Sequence, residues 1–281
     1  MARIGENVFG VAAEDPELEA AAAKARKTFR YLYRELAWER RRIVPGLELA
    51  AVKAKFSDPP EVRSTDPDAL EVEYMWLLDV DFNGKEISGT LINSPHSLVS
   101  VKEGDRVTVS GKQMYDWMYS QLGQVYGGFT VDAMRSKMPK GERKQHDDAW
   151  GFDFGDPGIV NVVPAGYIGE EEPKKGWFKK SKQTQQDFQK VAQFEHPMSD
   201  NMRSSLDEAI AEDPQFLTQT DQHGYNMLHQ LALAGSAAGV EVCLKHGANP
   251  AEAAPNGMTP FALAKSLGWT RVMALLPESI K

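Results

Sequence analysis

Glu35 and Glu39 stand four residues apart, the spacing at which two carboxylates share one side of a helix and can ligate a metal ion together. Arg34, Arg40, Arg41 and Arg42 surround them and no Glu-x-x-His partner follows, so a salt-bridged face is the stronger reading. Ser94 and His96 supply a hydroxyl and an imidazole, but near neighbours in sequence seldom assemble nucleophile and base, and no Gly-x-Ser-x-Gly elbow occurs. Gly127-Gly128 ahead of Thr130 could offer backbone N–H groups to an anion; a tight turn opening a helix explains the glycines equally well. His146, Asp147 and Asp148 cluster locally, yet three neighbours on a helix do not all face one ion. Cys-x-x-Cys, His-Glu-x-x-His and dinucleotide fingerprints are missing. The expectation is therefore a non-enzyme with no catalytic residue, no metal site and no cofactor.

These residues have to be positioned by recognisable elements. Asp15-Pro16 can cap a helix, and Leu18, Ala22, Ala25, Phe29, Leu32, Leu36 and Ile43 then follow helical spacing up to Pro45, with Lys24, Arg26, Arg30, Arg34, Arg40 and Arg41 opposite. From Leu47 the period shifts toward two. Strands are expected over Leu47 to Phe56, Leu70 to Phe82 and Lys85 to Asn93, the last two joined by Asn83-Gly84, the strongest short hairpin signal. Asp105 to Val109 is a further strand, and Tyr115 to Tyr119 with Gln124 to Tyr126 form a hairpin around Gln121-Leu-Gly. Thr130 to Met138 and Gly141 to Ala149 read as short helices. The class is α+β, a small bent antiparallel sheet with flanking helices.

Toward the C-terminus Gly224, Leu228, Gly235 and Val240 recur 33 residues later as Gly257, Phe261, Gly268 and Met273. Asp221-Gln-His-Gly-Tyr-Asn-Met-Leu-His-Gln-Leu-Ala, Gly235 and Val242-Cys-Leu-Lys-His-Gly-Ala-Asn249 resemble an ankyrin repeat, and Asn256-Gly-Met-Thr-Pro-Phe-Ala-Leu-Ala264 a second. The resemblance implies an all-α ankyrin-repeat domain in which Cys243 fills a core position. Met198 to Asp221 is similar to the helical cap before many such arrays. Because each repeat buries its apolar face only against a neighbour, so short an array is expected to lean on the N-terminal domain.

A second resemblance is carried by Ile87-Ser-Gly-Thr-Leu-Ile-Asn-Ser-Pro95, Val101-Lys-Glu-Gly-Asp-Arg-Val107, Asp116-Trp-Met-Tyr119 and Tyr126-Gly-Gly-Phe-Thr130. In this order the blocks are similar to the bacterial domain of unknown function 2314. That resemblance implies a fold similar in outline to small barrel-like modules among toxin-immunity proteins. The domain boundaries that follow are 1–168 for the α+β domain, 169–197 for a charged linker and 198–281 for cap and repeats. Within the linker, Trp177 and Phe178 stand among lysines as a candidate anchor.

A net charge of −8 over 281 residues argues against nucleic acid and leaves a basic protein partner open. No apolar run reaches membrane-spanning length, the N-terminus lacks a secretory pattern, and one cysteine cannot form an internal disulfide, so a cytoplasmic protein is expected. Trp76 and Trp117 are read as core, and Tyr74, Tyr115, Tyr119 and Tyr126 as a partner-facing set. Asp79 and Asp81 alternate with Val80 and Phe82 and should share one strand face. The expected partner contacts are Asp79, Asp81, Ser94, His96 and Tyr126 in the first domain and His223, Tyr225, Asn226, Asn256 and Met258 at the repeat turns. The reading is a non-catalytic protein-binding protein of bacterial immunity type that occludes a basic toxin. An enzyme or small-ligand sensor with a pocket near His96 and Gly127-Gly128, and a plain scaffold, are the alternatives. The oligomeric state is left open.

Overall fold

The computed structural model describes residues 15–66, 68–171 and 184–278. The N-terminal segment read for a secretory signal, and Trp177 and Phe178, lie outside the described residues. Two compact units emerge, one from residues 15–32, 44–164 and 184–186 and one from 33–43, 165–171 and 187–278.

Helix α1 (Pro16–Glu39) supplies residues to both units. Asp15 starts it by accepting the Glu17 N–H at 2.9 Å, with Pro16 at the first helical position. Leu18, Ala22, Ala25, Phe29 and Leu32 give the first unit a buried stripe. Tyr33, Arg34, Glu35, Ala37 and Trp38 are buried in the second, so Arg34 does not lie on a solvated basic face. The expected apolar stripe also stops early, since Ile43 is fully exposed.

The first unit holds six antiparallel strands, β1 (Leu49–Phe56), β2 (Glu73–Phe82), β3 (Glu86–Leu91), β4 (Arg106–Ser110), β5 (Met114–Gln121) and β6 (Gln124–Gly127). Their spatial order is β4-β3-β2-β1-β5-β6, an open sheet rather than a barrel-like closure. The indole N–H of Trp117 donates to the Ala25 carbonyl of α1 at 2.9 Å, and Phe29 meets Phe82 edge-on, centroids 5.4 Å apart. Gly127, at φ 77°, lies where a Cβ would sit 2.4 Å from the Trp117 carbonyl oxygen, so only glycine lets β6 approach that ring. Two short helices follow, α2 (Phe129–Lys137) and α3 (Lys140–Trp150). Backbone beyond α3 covers the β6 edge: Val125 N–H donates to the Asp153 carbonyl and Gly127 N–H to that of Asn161.

In the second unit come α4 (Phe188–Val191), α5 (Pro197–Asn201), α6 (Arg203–Glu212), α7 (Met227–Ala234), α8 (Ala237–Lys245), α9 (Pro260–Leu267) and α10 (Thr270–Met273). The 33-residue echo is geometric as well as textual. Asn226 and Thr259 cap α7 and α9 through their side-chain oxygens, and Gly235 and Gly268 close them in left-handed conformation. Each pair is preceded by the same turn, with bonds Asp221 N–H to Tyr225 O and Ala254 N–H to Met258 O. Successive helix pairs stack closely, since Trp269 lies against Gly235 and donates its indole N–H to the Leu233 carbonyl at 3.0 Å.

Candidate interaction surfaces

In the first unit two carboxylates shape the loop that carries Ser94 and His96. Glu73, buried at the start of β2, accepts the backbone N–H groups of His96, Ser97 and Leu98 at 2.6 to 3.0 Å. Asp58 accepts those of Val99 and Ser100, and the Ser100 hydroxyl together with these N–H groups holds its carboxyl below the ordinary carboxylate range. Five consecutive N–H groups are thus fixed from inside, which leaves the His96 side chain exposed on a rigid loop. Ser94, also exposed, donates to Glu103 rather than to His96, so no serine–histidine pair forms. Leu70 and Val99 add exposed apolar surface to this region, where Leu70 N–H donates to the Ser97 hydroxyl.

Asp79 and Asp81 do not share a face. The β2–β3 register shifts between Leu78 and Asp81, and Asp79 takes a left-handed φ of 50°. This bulge breaks the alternation, leaving Asp79 exposed and Asp81 buried. The Arg106 guanidinium caps the bulge by donating to the Asp79 carbonyl at 2.7 Å. The tyrosines expected to face a partner are also mostly interior: Tyr115, Tyr119 and Tyr126 are buried. Tyr126 stacks on Tyr119 at 5.0 Å, and the Tyr119 hydroxyl donates to the Val162 carbonyl, so the polar tip finds its partner inside the fold. An exposed apolar residue does project from the same hairpin: Leu122, at its tip, is 88% exposed with φ 52°.

The Gly127-Gly128 donors are engaged within the chain. Gly128 N–H bonds the Trp117 carbonyl at 2.7 Å, and the next N–H groups, of Phe129 and Thr130, go to the buried carboxylate of Asp116. Asp116 thus occupies the position an external anion would take at the α2 N-terminus; burial pushes its pKa up while the Thr130 hydroxyl pulls the other way. An open trough of about 870 Å³ runs along α3, with Lys140, Arg143, Lys144, Asp147 and Phe152 among its walls, and touches neither His96 nor Gly127. Asp147 belongs to a charge cluster there, receiving both Nε and Nη2 of the buried Arg135.

In the second unit Glu35 and Glu39 separate: Glu39 pairs with Arg42, whereas Glu35 is buried against Arg34, His196 and Tyr167. Burial pushes the Cys243 thiol up to about 12, which removes it as a nucleophile near neutral pH. Among the described residues no three His, Cys, Asp or Glu side chains converge on a common ion position. Of the turn residues, Asn256 is exposed and His223 half-buried, but Tyr225, Asn226 and Met258 are buried. Asn226 turns inward to cap α7 and donates to Glu252, while Tyr225 lies beneath the turn, stacked on His229 with centroids 5.7 Å apart. The bonds of Asp116 to α2, of Glu73 to the Leu98 N–H and of Tyr225 to Asn256 span 13 to 31 residues, so they leave no local sequence signal.

Comparison with known proteins supplies the context. The "Putative ankyrin repeat protein" of Neisseria meningitidis serogroup B is 38% identical over 269 residues, 96% of either chain. The chain belongs to that protein's family. Residues 15–154, from the cap of α1 past the end of α3, match the bacterial domain of unknown function 2314, described as an uncharacterised protein conserved in bacteria. The uncharacterised protein YegJ of Escherichia coli K12 is 28% identical over 94 residues, 34% of this chain and 61% of that protein. The match to the Neisseria relative, unlike that to YegJ, spans nearly the full length of both proteins, so both units fall within the family.

Proposed function

We propose that the protein binds another protein through an ankyrin-type array formed by α7 to α10. The observation that carries this reading is the turn of residues 221–225 repeated at 254–258, with the same backbone bonds and exposed side chains at both tips. A stacked series of rigid tips is a surface that positions contacts without ordering cost on binding. The name of the Neisseria relative supports the same class. The narrower reading is an immunity-type protein that occludes a basic toxin in the cytoplasm. It is supported by the net charge of −8; no described helix is long and apolar enough to cross a membrane.

The experiment places lysine at the first tip and immediately before the second, Gln222→Lys with Ala253→Lys, and measures affinity for a protein captured by the full chain from its native host. An affinity loss of about tenfold with an unchanged melting temperature supports the tips as contacts. Unchanged affinity overturns them. Protection of cells from the captured protein on co-expression tests the toxin reading separately.

A further inference from the structure

The two edges of the sheet differ. The chain's own backbone covers β6, whereas β4 has β3 on one side and no described strand on the other. The β3–β4 register fixes which groups face outward. Leu91 N–H donates to the Asp105 carbonyl, so bonded pairs continue by alternation through Gly89–Val107 and Ile87–Val109. The N–H and C=O groups of Arg106, Thr108 and Ser110 therefore point away from the sheet. Those of Ser110 are held by Gln113, through its side-chain oxygen and its backbone N–H, both at 3.0 Å. Among the described residues, Arg106 and Thr108 are left with two donors and two acceptors directed outward. A bulge precedes the strand, where Leu91 bonds to both Gly104 and Asp105, but Arg106–Ser110 itself holds no proline, lysine or register shift, and the Arg106 side chain lies back over the sheet toward Asp79 and Ser88.

We infer that β4 pairs antiparallel with β4 of a second copy of this chain, about a two-fold axis at Val107. In that register Arg106 of each copy faces Thr108 of the other, and the outward groups form four N–H···O bonds. Val107 meets its counterpart, and no like charges stand opposite. An axis at Thr108 would need the Ser110 groups already held by Gln113, and one at Arg106 would set two guanidinium groups against each other. Only the Val107 axis uses every open group and no occupied one, so the open stretch of β4 is self-complementary to that of a second copy. One short strand pair buries little area, so the dimer is concentration-dependent.

Sedimentation velocity of the full chain, with Val107→Lys and Val107→Glu, tests the pairing. The wild type should dimerise reversibly, each variant should raise Kd about tenfold or more, and an equimolar mixture should recover a heterodimer through Lys–Glu pairing. Thr108→Pro, which removes an outward N–H while sparing the β3 ladder, should also weaken the dimer. A wild type monomeric up to about 1 mM, or a dimer indifferent to both charge substitutions, overturns the proposal.

Discussion

The side-chain amide of Asn256 donates to the Tyr225 hydroxyl at 2.6 Å, tying two successive turns together across a separation of 31 residues. Tyr225 is buried and stacked on His229, so its role is to hold successive turns in register. Tyr225→Ala should therefore act through stability, costing about 3 kcal/mol or more by leaving a cavity. Tyr225→Phe, which keeps the stack and loses one hydrogen bond, should cost about 1 kcal/mol. Urea unfolding of both variants checks the order; equal losses would show that the ring packing is not the larger contribution.

Asp116 links β5 to the start of α2 by accepting from Trp117, Phe129 and Thr130 N–H groups and the Thr130 hydroxyl. Asp116→Asn has nearly the same shape but sets an amide donor against donors. The expected loss is about 2 kcal/mol or more, large for an isosteric change, and thermal melting measures it. A loss indistinguishable from zero would mean that the α2 N-terminus does not depend on this carboxylate.

The sequence made the repeating parts of the fold legible and left the buried polar contacts hidden. Helix α1, the Asn83-Gly84 hairpin and the 33-residue echo carry local signals, in caps, turn residues and period, and all three are in the structure. Asp79 gave no such warning, because a bulge depends on the partner strand: Gly89 faces it, and a Cβ there would lie 2.8 Å from the Leu78 carbonyl oxygen. Tyr225 and Asn226 were legible as turn residues but not as inward-facing ones, since their partners belong to the next turn. Glu73 and Asp58 show the same limit, as the loop they fix lies 23 to 42 residues downstream.

Leu122 sits at φ 52° and Gly123 at φ 73°, the backbone of a two-residue hairpin turn that favours asparagine then glycine. The Glu48 carboxylate fixes this turn by accepting the Gly123 N–H at 2.9 Å and the Ser120 hydroxyl at 3.1 Å. A leucine there is both strained and exposed. Leu122→Asn should raise stability by about 1 kcal/mol, read as a shift of the denaturation midpoint. A destabilised variant would show that the leucine packs on the protein itself.

His196 provides a pH readout of the second unit. Its Nδ1 accepts the Met198 N–H at 3.0 Å as cap of α5, which puts the ring proton on Nε2, 3.3 Å from the Glu35 carboxylate. Trp38 stacks on the ring, Tyr167 meets it edge-on, and Arg34 and Arg42 add positive charge nearby. Burial holds the His196 pKa below its ordinary 6.5, with Glu35 opposing that shift. The unfolded chain therefore binds a proton near pH 6.5 while the folded chain does not. The corresponding stability is complete above that pH and is lost as pH falls toward the folded pKa. Melting temperature should accordingly drop between neutral and mildly acid pH. His196→Asn retains an oxygen to cap Met198 and removes the titration, so it should flatten this dependence; a wild-type slope in the variant would assign the acid sensitivity to other groups.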